Sequence, residues 1–284
     1  MNDREELVEI ITRRVLAELD RDPQEGCSDC AGSCAAHCSD KVRTMVEEGA
    51  ARISYQGRGG DIPADLAAYI DHTLLGPGTT GTDIDRLCEE ARRYNFAAVC
   101  INPAWVSRAR ENLRGSRVII ASVVGFPLGA NATETKVMES RRALREGARE
   151  IDMVINIGRL KEGDFEFVTQ DIARVVDACR EVRAVCKVII EAAVLTDEEK
   201  VIACQLAKAA KADYVKTSTG FGPGGATVYD VALMRETVGP AMGVKASGGI
   251  HTTEEAEQMI AAGASRIGAS AGISIVTGNG ESDE

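Results

Sequence analysis

From Ala64 onward the chain alternates two textures. Short runs of β-branched and apolar residues are separated by longer stretches whose apolar positions recur at helical spacing. The strand-like runs are 69–75, 97–102, 118–126, 151–157, 185–195, 213–218, 244–247 and 266–270. Helical spacing marks 83–94, 134–146, 164–181, 197–211, 229–238 and 254–262. Asn102-Pro103 and Thr196-Asp197 read as helix entrances, while Gly147 and Gly263 stand where helices should end. Eight strands with helices between them predict parallel pairing and an α/β fold, the (β/α)8 TIM barrel. A doubly wound sheet uses the same alternation, but the count of eight favours closure.

The first 63 residues follow another pattern. Leu7, Val8, Ile11, Val15 and Leu19 share one face of a predicted helix over 3–20, which Asp3 can cap and Asp22-Pro23 stops. Residues 24–61 read as a linker rich in Gly, Ser, Ala and charge, and they carry Cys27, Cys30, Cys34, His37 and Cys38. That spacing suits a zinc or iron–sulfur site, or else a set of exposed free thiols. The chain thus divides into an N-terminal extension, 1–63, and a barrel domain, 64–284.

Composition narrows the function. A chain of 284 residues, 44% hydrophobic, is ample for one large core. A net charge of −11 without basic stretches argues against nucleic acid or an anionic membrane as partner. At 4% aromatic content, base-stacking platforms are not expected. The longest nearly apolar stretch, 118–130, contains Gly and Pro and is too short to span a bilayer. The N-terminus lacks the apolar core of a signal peptide. Cys88, Cys100, Cys179, Cys186 and Cys204 read as small buried hydrophobes in a reducing compartment, so the cytoplasm is expected.

The candidate chemistry lies in the later strands. Lys216 ends an apolar run that opens into the glycine-rich loop of residues 219–225. Lys245 sits in a run of the same kind. Burying an ammonium is costly, but burial lowers its pKa, and a neutral amine attacks carbonyls. Two lysines facing one cavity are expected to depress each other further. Snorkelling from strand ends is the plain alternative for each.

Asp152, among apolar residues of strand four, needs partners that the lysines can supply; a structural ion pair is the other reading. Asp71 and Thr73 on strand one are candidate substrate contacts, and His72 between them suits either a site or a satisfied core. Gly220, Gly248, Gly249 and Ser270 (the last in Gly268-Ala269-Ser270) fall where barrels bind phosphate through backbone N–H groups. A sugar phosphate is therefore the expected ligand class.

Seven stretches over about residues 64–275 resemble deoxyribose-phosphate aldolase, a class I aldolase family. They are Ile70-Asp71-His72-Thr73-Leu74-Leu75, Ala98-Val99-Cys100-Ile101-Asn102-Pro103, Val124-Gly125-Phe126-Pro127 and Glu150-Ile151-Asp152-Met153-Val154. Further on come Lys187-Val188-Ile189-Ile190-Glu191, Val215-Lys216-Thr217-Ser218-Thr219-Gly220-Phe221 and Val244-Lys245-Ala246-Ser247-Gly248-Gly249-Ile250.

The resemblance implies a TIM barrel without cofactor or catalytic metal. It implies reversible cleavage of 2-deoxy-D-ribose 5-phosphate to glyceraldehyde 3-phosphate and acetaldehyde. It makes Lys216 the Schiff-base nucleophile and Lys245 the charge that keeps it deprotonated and joins the proton relay. Asp152 becomes the proton shuttle and Cys100 a lining residue. Gly76, Ala192 and the acidic C-terminus depart from the family's usual pattern, away from this trio.

Residues 1–20 resemble the encapsulation peptides that carry enzymes into bacterial microcompartments, which implies shell proteins as partners. A homo-oligomer is also expected. Other Schiff-base sugar-phosphate aldolases, transaldolase-like enzymes and a non-catalytic sugar-phosphate-binding protein are the competing readings.

Overall fold

The computed structural model describes residues 65–278; the predicted helix over 3–20 and the cysteine cluster at Cys27, Cys30, Cys34, His37 and Cys38 lie outside them. A short turn of 3-10 helix, Leu66–Tyr69, leads into β1 (Ile70–Leu74). The remaining strands are β2 (Ala98–Ile101), β3 (Ile119–Val124), β4 (Glu150–Val154), β5 (Val185–Ile189), β6 (Tyr214–Lys216), β7 (Gly243–Ser247) and β8 (Arg266–Ala269). All pair in parallel with their sequence neighbours, and β8 closes on β1. The predicted eight-stranded barrel is the observed one, closed and not doubly wound.

Nine helices connect the strands among the described residues: α1 (Gly81–Tyr94), α2 (Val106–Asn112), α3 (Thr133–Glu146), α4 (Ile157–Lys161), α5 (Phe165–Arg180), α6 (Asp197–Ala209), α7 (Val228–Val238), α8 (Thr253–Ala261) and α9 (Gly272–Thr277). Their starts are chemically marked. Thr80 with Asp83, Thr196 with Glu199 and Thr252 with Glu255 form reciprocal capping boxes on α1, α6 and α8. Asp164 and Thr227 cap α5 and α7 through single side-chain bonds. No helix among the described residues is long and apolar enough to cross a membrane.

The pleat sorts each strand into an outer and an inner set. Outer residues such as Val99, Ile101, Ile151, Met153, Val188, Val215, Val244 and Ile267 join the core beneath the helices. Inner residues divide by position around the barrel. Ala98 and Cys100 on β2 with Ala121 and Val123 on β3 make a separate small apolar cluster under Leu75. The inner places on β1 and β4 to β8 instead hold Asp71, Glu150, Asp152, Lys187, Lys216, Lys245 and Arg266, six of them almost wholly buried and Arg266 nearly so. A barrel interior half apolar and half charged is the structural basis of the site.

Strand five ends earlier than its apolar run predicts. Glu191 adopts left-handed backbone (φ 55°), and the chain turns into a 3-10 turn, Ala192–Val194, that stays buried without staying extended. Three short helices, α2, α4 and α9, are too brief to register as periodicity in the sequence.

Candidate active site

Asp152 sits at the centre of the charged half. Its Oδ2 accepts from Lys216 Nζ at 2.9 Å and from Lys245 Nζ at 2.8 Å, and its Oδ1 accepts from Lys187 Nζ at 2.8 Å. Around this core, Lys245 Nζ also lies 2.5 Å from Asp71 Oδ2, and Lys187 pairs with Glu150. Arg266 bridges Asp71 Oδ1 at 2.6 Å and Glu150 Oε1 at 3.2 Å. Strand register brings these groups together: Asp152 stands opposite Lys187, Lys216 opposite Lys245, and Lys245 opposite Arg266.

The electrostatics follow from burial set against close opposite charge. Burial alone would raise the Asp152 pKa, but Lys187, Lys216 and Lys245 hold it well below the carboxylate range. Asp71 is likewise pushed up by burial and pulled further down by Lys245, Lys187 and Arg266. Burial pushes Lys245 down, yet Asp152 and Asp71 carry it above the ordinary lysine value. Lys187 is raised in the same way by Asp152, Asp71 and Glu150.

The expected mutual depression of the two lysines is therefore overturned for Lys245. Lys187 does act against its charge, but two carboxylates at contact distance outweigh that repulsion. Four basic groups face three carboxylates in this cluster.

Space for this packing comes from a glycine. A Cβ at Gly268 would stand 2.9 Å from Lys245 Cε, so the inner place on β8 must be bare for the lysine stem to pass. Cys100 Sγ lies 3.9 Å from Asp152 Oδ2 on the apolar side, and burial pushes its thiol pKa up, which keeps it protonated.

Above the lysines, the loops after β6 and β7 are laced together. Ser247 Oγ donates to Ser218 O at 2.7 Å, Thr217 Oγ1 donates to Ser247 O at 3.1 Å, and Ala226 N donates to Gly248 O at 2.9 Å. Gly220, Gly248 and Gly249 all have positive φ (85°, 89° and 73°), a backbone that directs N–H groups in ways other residues resist. Gly225 lies against Gly248, where a Cβ would come within 2.3 Å of the carbonyl oxygen. Ser270 is exposed just beyond β8.

Several predicted residues sit elsewhere. His72 points away from the barrel interior, buried against Phe96 (ring centroids 5.0 Å apart) with Nε2 2.7 Å from Glu90 and Nδ1 without a hydrogen-bond partner among the described residues, which makes it a core histidine outside the charge cluster. Asp71 lies with both oxygens on cations, beneath the lysines, and not open to the mouth. Thr73 is half-buried above it and donates to the Asp71 carbonyl at 2.7 Å. Gly76 occupies a turn whose carbonyl accepts from Thr79, and Ala192 N donates to Thr217 O at 2.8 Å.

Residue-by-residue reading missed Lys187, Glu150 and Arg266 as members of the charge cluster. It also missed Glu191, which is buried and accepts from Thr219 N at 3.2 Å and Thr219 Oγ1 at 2.5 Å. The signal for Lys187 was present: a lysine inside an apolar strand, as at Lys216 and Lys245.

A closed eight-stranded parallel barrel with lysines and carboxylates buried at its centre defines the protein as a (β/α)8 barrel with a charged interior site. The sequence pattern of the DeoC/LacD family aldolases matches residues 66–278, and the chain belongs to that family. The deoxyribose-phosphate aldolase of Bacillus cytotoxicus is 59% identical over 212 residues, 75% of this chain and 95% of that one. Deoxyribose-phosphate aldolase 1 of Oceanobacillus iheyensis is 57% identical over 220 residues, 77% and 99% of the two chains.

Solved structures agree. A putative deoxyribose-phosphate aldolase from Coccidioides immitis superposes with a TM-score of 0.74 at 41% identity, covering 84% of this chain and 96% of its own. The tetrameric deoxyribose phosphate aldolase of Aeropyrum pernix gives 0.74 at 33% identity, covering 79% and 96%.

Proposed function

We propose that the protein cleaves 2-deoxy-D-ribose 5-phosphate reversibly to D-glyceraldehyde 3-phosphate and acetaldehyde, through an imine on Lys216. The observation that carries this reading is Asp152 held between Lys216 and Lys245 beneath three left-handed glycines. Lys216 Nζ adds to C1 of the open-chain sugar, and loss of water gives the iminium. The C3 hydroxyl then gives up its proton, and the C2–C3 bonding pair flows into the iminium. Glyceraldehyde 3-phosphate departs. The remaining enamine takes a proton on C2, and water releases acetaldehyde and the free amine.

Imine formation needs a neutral amine, and the four basic groups of the buried cluster outnumber its three carboxylates. Lys245 stays protonated beside Lys216 and, with Asp152, carries protons to and from the substrate through water. Asp71 and Lys187 act as positioning residues that fix Lys245 and Asp152. The phosphate is received by the N–H groups of Gly220, Gly248 and Gly249 with Ser270, and Cys100 and Thr73 line the sugar. No step in this sequence calls on a metal or cofactor. A homo-oligomer is the expected assembly.

On the resemblance already described, the first 20 residues act as a cargo tag for a microcompartment shell, where confinement would hold the volatile acetaldehyde. Fusing residues 1–25 to a fluorescent protein checks this: co-purification with shells is expected, and a diffuse cargo would sink it. For the chemistry, the wild-type enzyme is expected to release acetaldehyde and glyceraldehyde 3-phosphate in equal amounts, and Lys216→Ala neither. A three-carbon donor product in place of acetaldehyde would move the enzyme to another Schiff-base reaction.

A further inference from the structure

At the opposite end of the barrel, where β3 and β4 begin, a cavity of about 460 Å³ opens between the ends of α2 and α3. Its walls carry Arg110, Arg114, Arg117 and Arg149, and its floor is Val118 with the start of β3, Ile119 and Ile120, of which Ile119 is half-buried and the other two are nearly covered. The volume falls within the range of small-molecule sites. The concentration of cations is unusual for this chain, whose net charge is −11.

Some exposed arginines reach carboxylates, as Arg108 does with Asp85, Arg141 with Glu181 and Arg142 with Glu146, and others bond carbonyls, as Arg92 does with Asn112 O and Arg180 with Lys211 O. Arg110, Arg114 and Arg117 have no ion pair among the described residues. Arginines near helix C-termini are often explained by the helix dipole. Arg149 fits that account in part, since it donates at 3.5 Å to Leu144 O in the last turn of α3, and at 2.8 Å to Ala148 O just beyond it. Arg114 and Arg117 make no such bond to a helix-end carbonyl and line the cavity instead.

Arg110 is accommodated by a second missing side chain. Gly147 has φ 131°, and a Cβ there would stand 2.7 Å from Arg110 Cδ, so the arginine stem runs across bare backbone. Planar guanidinium groups with free donors, set round an apolar floor, match a ligand that joins phosphate oxygens to a flat or apolar part.

We propose that this cavity binds a phosphorylated organic anion of nucleotide size, phosphates on the arginines and its planar portion on the Val118–Ile120 floor. The site is separate from the glycine loops, which lie at the other end of the strands. It does not depend on the aldolase reading.

Calorimetric titration of the full chain with ADP tests it. Saturable one-to-one binding is expected, weakened about tenfold or more in the Arg114→Ala/Arg117→Ala double variant. Both residues are exposed and far from the lysines, so that variant should keep wild-type turnover, which verifies its fold. ADP should not compete with the sugar phosphate in kinetic assays. No saturable heat up to about 5 mM ADP, unchanged affinity in the double variant, or strict competition with substrate would each overturn the proposal.

Discussion

Asp152 shows how a single carboxylate organises a site. Three lysine amines converge on its two oxygens, each buried at a cost that this convergence offsets. Lys187 is the member with no part in the proposed bond-making, yet it alone satisfies Asp152 Oδ1 and also holds Glu150. Lys187→Met should therefore destabilise the protein by about 3–5 kcal/mol, because it leaves carboxylates uncompensated. Chemical denaturation should show this as a lower midpoint at unchanged slope; an unchanged midpoint would mean that the cluster re-pairs without it.

Lys216 and Lys245 were legible in the sequence as odd lysines in apolar strands followed by glycines. Lys187 carries the same oddity, but no glycine follows it closely and its strand runs on into apolar residues, so it reads as one motif residue among others. Glu191 was illegible for a different reason: nothing in its neighbours announces a left-handed glutamate.

Among elements, the strands matter through their parity. Alternation sets every charged residue of the cluster on the inner face, and a one-residue slip of any strand would expel it into the helix-facing core. The strand and helix count was readable because periodicity changes sharply between elements, and the long helices were placed to within a residue or two. What the pattern cannot give is how strands stagger, and so which inner residues meet.

Two glycines separate the roles of element and loop. Gly268→Ala in β8 places a methyl against the Lys245 stem and should lower kcat, with a stability cost of about 1–3 kcal/mol. Gly225→Ala pushes the two mouth loops apart and should act mainly on KM for the phosphorylated substrate. Steady-state kinetics on both variants check the split. Equal effects on kcat and KM in the two would contradict it.

For the molecule as a whole, the barrel concentrates charge at its centre, with glycine loops at one end and an arginine-lined cavity at the other. The buried cluster also sets how stability follows pH. Asp71 and Asp152 hold protons more weakly folded than unfolded, so their contribution is complete above the ordinary 3.8 and lost as pH falls below it. His72, lowered by burial, adds an earlier loss as pH falls below 6.5. Lys187 and Lys245 bind protons more tightly when folded, so their contribution is complete below 10.5 and lost as pH rises beyond it. Scanning calorimetry should find a melting temperature steady between pH 6.5 and 10.5 and falling above that window. Below the window it should fall first through His72 and then, below 3.8, through Asp71 and Asp152. A maximum confined near neutrality would contradict the buried ion cluster.

The central claim, an imine on Lys216 poised by Asp152 and Lys245, is tested most directly by borohydride reduction in the presence of 2-deoxyribose 5-phosphate, followed by peptide mass mapping. A reduced adduct on Lys216, absent from Lys216→Ala, is the predicted result. An adduct on Lys245 would contradict the assignment of the two lysines, and no adduct on a folded, substrate-saturated protein would contradict imine catalysis itself.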